Sequence, residues 1–121
     1  MAGTFYPAGR GQLKAELAAL LADAHVPPKA GLAGVVAPHA GYMYSGPVAA
    51  NAFGPLAASS KSFDRVLLLG PPHYVPVSGV AATSATAFAT PLGEVPVDRE
   101  AIDALLKVGL VSIDDRAHAP E

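Results

Sequence analysis

An α/β fold, with a mostly parallel central sheet and flanking helices, is what this sequence predicts, on three observations. Leu13, Leu17, Leu20 and Leu21 recur at helical spacing. Two short apolar runs, Leu32 to Ala37 and Phe63 to Leu69, are each closed by proline or glycine-proline and are too short for buried helices. Between and after them stand segments with helix caps and turn residues, so helical and extended stretches alternate.

Taken in order, the leucine repeat predicts a helix over Gln12 to Ala24, preceded by Gly9 and Gly11 and followed by Pro27-Pro28. Leu32 to Ala37 reads as a buried strand ended by Pro38. Ser45 is a candidate cap for a second helix through Pro47, Val48, Ala52 and Phe53, limited or interrupted at Gly54-Pro55. Phe63 to Leu69 is the clearest strand and is expected at the sheet's centre, so that strand, helix and strand make a right-handed crossover. From Gly79 to Val97 the residues are small and β-compatible, with Pro91-Leu92-Gly93 as a turn, which predicts a strand and a hairpin-like return. Asp98 then caps a helix carrying Ile102, Leu105 and Leu106, ended by Gly109, and Val111 to Ile113 forms a last short strand.

At 121 residues the chain amounts to one domain, residues 1–121. Its 51% hydrophobic and 15% charged residues make it more apolar than a free-standing domain of this size usually is, which predicts apolar surface that meets a partner. No apolar stretch approaches the roughly 20 residues of a membrane helix, and the first residues lack the basic and apolar regions of a secretory signal, so a cytoplasmic protein is expected. A net charge of −2 with scattered lysines and arginines offers no basic stripe, which argues against nucleic acid. Phosphate loops, nucleophile elbows and helical zinc-protease motifs are absent from the sequence.

The chemistry-bearing feature is a pair of histidines in matched settings. His39 and His73 each follow a proline at the end of an apolar run. On neighbouring parallel strands they would emerge together at the carboxyl edge, where open sheets place ligands. Two converging imidazoles suggest a metal, and the preceding prolines restrict the backbone so that little entropy is lost on coordination. Tyr42 and Tyr44 are candidates for hydrogen bonding to a metal-bound species or for general acids. Tyr74, adjacent to His73 on extended backbone, is expected to point to the opposite face. His118 with Asp114, Asp115 and Glu121 reads as a solvated terminal segment, and His25 as a helix-end charge.

The segments Ala2-Gly3-Thr4-Phe5-Tyr6-Pro7, Ala37-Pro38-His39-Ala40-Gly41-Tyr42, Leu69-Gly70-Pro71-Pro72-His73 and Thr90-Pro91-Leu92-Gly93, in that order, resemble the successive signatures of the Memo family. That family is related in fold to the catalytic subunit of class III extradiol dioxygenases. The resemblance covers nearly the whole chain and implies its N-terminal half only. It implies that His39 and His73 match two of three metal ligands and that Tyr42 and Tyr44 line the same site. The third ligand, a cysteine in Memo-like proteins and a glutamate in the dioxygenases, would come from a later strand, and this chain has no cysteine. Glu121 matches the glutamate of a Glu-His-Ser segment.

The resulting expectation is a mononuclear centre holding iron(II), with copper or zinc as alternatives, and dioxygenase-type chemistry on a small organic substrate once the missing C-terminal half, or a homo-oligomer partner, completes it. The chain alone is expected to be inactive. A non-enzymatic module binding a peptide in the same cleft and a zinc-dependent hydrolase are the competing expectations.

Overall fold

The computed structural model describes residues 1–121 except Pro28, Ala30, Ser60, Lys61, Pro120 and Glu121. The elements are α1 (Arg10–Ala22), α2 (Tyr42–Ala57), β1 (Val80–Ala82), β2 (Ala87–Thr90), β3 (Gly93–Pro96), α3 (Arg99–Val108) and β4 (Val111–Ile113), followed by a short 3-10 helix, Asp115–Ala117. Helices and strands are mixed, as the α/β class requires. They fall into two compact units, Met1–Phe63 and Asp64–Glu121.

The first unit is a helix pair. Leu13 of α1 is its buried anchor, and α2 contributes the small buried residues Gly46 and Ala50. Gly46 is needed for close approach, because a Cβ there would stand 3.1 Å from Leu20 Cδ1 and 3.3 Å from Leu20 Cδ2. Asn51 ties the pair at a second point: its Oδ1 accepts from the His25 backbone N–H at 3.0 Å, and its Nδ2 donates to the Pro47 carbonyl at 2.9 Å. Helix α1 thus starts two residues earlier than Gln12 and stops two before Ala24.

Two readings of α2 are corrected. The helix begins at Tyr42 with Gly41 at its N-cap, so Ser45 lies inside the first turn, and its hydroxyl donates to the Ala40 carbonyl at 2.8 Å instead of capping. The helix also runs through Gly54-Pro55 to Ala57. Pro55 is buried, and its packing outweighs the intrahelical hydrogen bond that its ring cannot donate.

In the second unit β1 and β4 pair in parallel, Val80 opposite Val111, while β2 and β3 form an antiparallel hairpin, Phe88 opposite Val95. The Thr90 hydroxyl donates to the Gly93 carbonyl at 2.8 Å and accepts from the Leu92 N–H at 3.2 Å, which locks the predicted turn. Helix α3 starts and stops as its sequence dictates. The Asp98 carboxylate accepts from the Ala101 N–H at 2.9 Å, and Gly109 closes the helix at φ 78°, where a side chain would be strained.

The expected strands Leu32 to Ala37 and Phe63 to Leu69, and with them the crossover they would form, are not present as strands. The reason is physical: a strand is defined by a hydrogen-bonded neighbour, and among the described residues neither run has a ladder partner. The sheets found are therefore two pairs, not one central sheet. No helix is long and apolar enough to cross a membrane, among the described residues.

Candidate functional site

His39 stands on an exposed loop whose following residues are firmly held. Pro38 fixes the backbone before it. After it, the Tyr42 N–H donates to the Phe5 carbonyl at 2.8 Å, and the N–H groups of Tyr44 and Ser45 close the first helical turn onto the Gly41 carbonyl at 2.9 and 3.1 Å. Gly41 is buried against the N-terminal segment, and a Cβ there would meet the Phe5 carbonyl oxygen at 3.4 Å. The loop therefore enters α2 by a braced route.

Tyr42 and Tyr44, one helical turn's start apart from His39, differ in environment. The Tyr42 ring lies 5.8 Å from that of Tyr6 at an interplanar angle of 42°, and burial, with smaller contributions from Tyr6 and Glu16, raises its phenol above the ordinary value. The shift favours the protonated phenol, the form that can donate a hydrogen bond. Tyr44 is 77% exposed and open to a ligand or to covering chain.

His73 sits at a bend after Gly70-Pro71-Pro72 and is likewise exposed. Tyr74 does not turn away from it as extended backbone would require. The bend sets the two rings edge to face, with centroids 6.5 Å apart and planes at 71°. His39 belongs to the first unit and His73 to the second.

Imidazole nitrogens are donors that iron, copper and zinc accept. Among the described residues, however, no group of three or more His, Cys, Asp or Glu side chains is placed to hold a metal ion. Glu121 lies outside the described residues.

Sequence reasoning underrated the segment around Asp115, which is anchored and not a loose solvated tail. The Asp115 carboxylate accepts from the Thr83 hydroxyl at 2.8 Å, the Ser84 N–H at 2.8 Å and the Ser84 hydroxyl at 2.6 Å. These bonds, led by those from Ser84, hold its pKa down to about 2. Arg99 supports the same corner by donating to the Thr83 carbonyl at 2.5 Å. Thr83, Ser84, Ala85, Phe88, Asp115 and His118 line an open cavity of about 330 Å³, and the Nε2 of His118 is buried without a hydrogen-bond partner among the described residues. A carboxylate this acidic is a poor base for the Ser84 hydroxyl, so the cluster reads as an anchor. The only advance signal was the Asp-Asp-Arg order, in which Asp114 caps the 3-10 helix by accepting from the Arg116 N–H at 3.1 Å.

The chain is 48% identical over 91 residues to a MEMO1 family protein of Methanopyrus kandleri, covering 74% of this chain and 32% of that protein. It is 38% identical over 130 residues to a MEMO1 family protein of Aeropyrum pernix, covering 99% of this chain and 46% of the relative. Protein MEMO1 of Danio rerio is 39% identical over 112 residues, covering 90% of this chain and 36% of the fish protein. The chain therefore spans less than half the length of each of these relatives. The family model described as Memo-like protein matches residues 1–121, so the chain belongs to the Memo-like family.

Proposed function

We propose that this chain is the half of a Memo-like domain that supplies His39 and His73 to a mononuclear metal centre, iron(II) in the first instance. The observation that carries the reading is the matched pair of exposed Pro-His loops, one in each unit, each ending an apolar run. Support also comes from the relatives' greater length, which leaves room for an anionic third ligand elsewhere in the family's chain.

A ferrous ion held by two imidazoles and one anion would supply open coordination positions for dioxygen and an oxidisable, oxygen-bearing organic substrate. The chain's own residues then do three things. His39 and His73 bind, the prolines before them limit the entropy lost on binding, and Tyr42 holds a proton toward an acceptor. The relation to extradiol dioxygenases that the family resemblance implies motivates the redox reading and is an argument by analogy.

The test is metal content after iron(II) loading under nitrogen, for the chain alone and for the chain mixed with the part of the Aeropyrum pernix relative that it does not match. Weak substoichiometric binding alone, and close to one iron per assembled pair that His39→Ala or His73→Ala abolishes, is the expected result. One iron bound tightly by the isolated monomer would contradict it. Peptide binding that survives both substitutions and chelator would favour a recognition module in place of the metalloenzyme.

A further inference from the structure

We propose that Ser45 is a positioning residue for His39, its buried hydroxyl holding the Ala40 carbonyl and with it the backbone from which the imidazole projects. The inference rests on the reading of His39 as a metal ligand and adds a residue that keeps that ligand in place.

The hydrogen bond is not an ordinary helical one. A serine inside a helix usually turns its hydroxyl to a carbonyl three or four residues back. For Ser45 the carbonyl four back is that of Gly41, which already accepts the Tyr44 and Ser45 N–H groups at 2.9 and 3.1 Å. The hydroxyl reaches one residue further, to the Ala40 carbonyl at 2.8 Å, which precedes the N-cap and lies outside α2. The bond therefore adds nothing to the helical ladder. It ties the helix to the loop, at the residue next to His39.

Burial makes this tie specific. Ser45 is 8% exposed, and the adjacent Gly46 packs on Leu20 of α1. Water is a poor substitute partner at such a site, and a buried polar group left unpaired costs more than the bond itself gains.

The backbone around His39 is held from other directions as well. Pro38 has its own φ fixed by its ring. Beyond Ala40, Gly41 lies at φ −54° and ψ 149°, and the Tyr42 N–H donates to the Phe5 carbonyl at 2.8 Å. His39 thus stands one residue from a restrained point on either side, and the Ser45 hydroxyl is the restraint that a substitution can remove without touching the loop itself. An imidazole held in advance loses less entropy on coordination. Groups that orient metal-ligating histidines set affinity by about 10- to 100-fold.

The test reads iron(II) affinity under nitrogen, on the chain assembled with the unmatched part of the Aeropyrum pernix relative, beside NMR backbone relaxation and urea unfolding of the chain alone. Ser45→Ala should weaken iron binding about tenfold and lower the order parameters of His39, Ala40 and Gly41 from about 0.85 toward about 0.6. Ser45→Thr, which keeps the donor, should restore both. Asn51→Ala removes the ties farther along α2 and controls for a merely structural role: it should destabilise the helix pair and leave iron affinity and loop order unchanged. Unchanged iron affinity in Ser45→Ala, an equal loss in Asn51→Ala, or unchanged order at His39, Ala40 and Gly41 would overturn the proposal. If the unsubstituted assembly takes up no iron, the metal reading falls and relaxation decides alone: a looser His39 loop in Ser45→Ala upholds the positioning role, and an unchanged one overturns it.

Discussion

The two units of this molecule are held by different forces. In Met1–Phe63, two helices meet through Leu13, Leu20, Gly46 and Ala50, so cohesion comes from close apolar contact. In the second unit the only buried described residues are Thr83 and Ala117, and its corner is fastened by the hydrogen bonds that Asp115 and Arg99 make with residues 83–85. Packing tolerates acid and fails when volume changes; a carboxylate anchor tolerates surface substitution and fails when it is protonated. The unit that carries the apolar run before His73 is thus the one with the thinner core among the described residues.

Substitutions can break each side of this comparison separately. The largest effect is expected for Leu13→Ala, which removes the only large apolar side chain among the buried described residues and should cost about 2–4 kcal/mol of the helix pair's stability in urea unfolding. Gly46→Val pushes methyl groups into Leu20 and should cost about 1–3 kcal/mol, again in the first unit only. Amide exchange of α3 and the hairpin should be unchanged in both variants. Asp98→Ala strips a cap bond from α3 and should cost about 1 kcal/mol, read as faster exchange in its first turn.

The smallest effect belongs to Asp115 and is seen in its pH dependence. Its pKa of about 2 lies below the ordinary carboxylate value near ~3.9, so the folded state favours the charged form. The stabilisation is fully present above about pH 4 and is lost as the pH falls through about 2. Protection of the Ser84 amide should follow that window, and in Asp115→Asn it should be lower at neutral pH and flat through acid. Equal acid profiles in the two proteins would remove the anchor from the account.

What the sequence disclosed depended on how local the cause was. Helix α3 was legible because Asp98 and Gly109 are themselves its boundaries, and the hairpin because Thr90 and Gly93 make their own turn. Leu32–Ala37 and Phe63–Leu69 carry strand-like sequences, but a strand is completed by a neighbour that may lie far along the chain or outside it. Asp115 reads as solvated in the sequence because the partners that anchor it are 31 and 32 residues away, with no periodic pattern to announce them. The matched Pro-His settings of His39 and His73 are a feature of the sequence alone, whereas the bend that turns Tyr74 onto His73 is a tertiary detail that alternation could not give.

The most direct measurement is molar mass by light scattering together with metal content by mass spectrometry, on chain purified without chelator or nickel, before and after addition of the unmatched part of the Aeropyrum pernix relative. The half-site account predicts little metal on the chain alone and one metal per one-to-one complex, lost with either histidine. A monomer that already carries one tightly bound metal, or a complex that carries none, would contradict it.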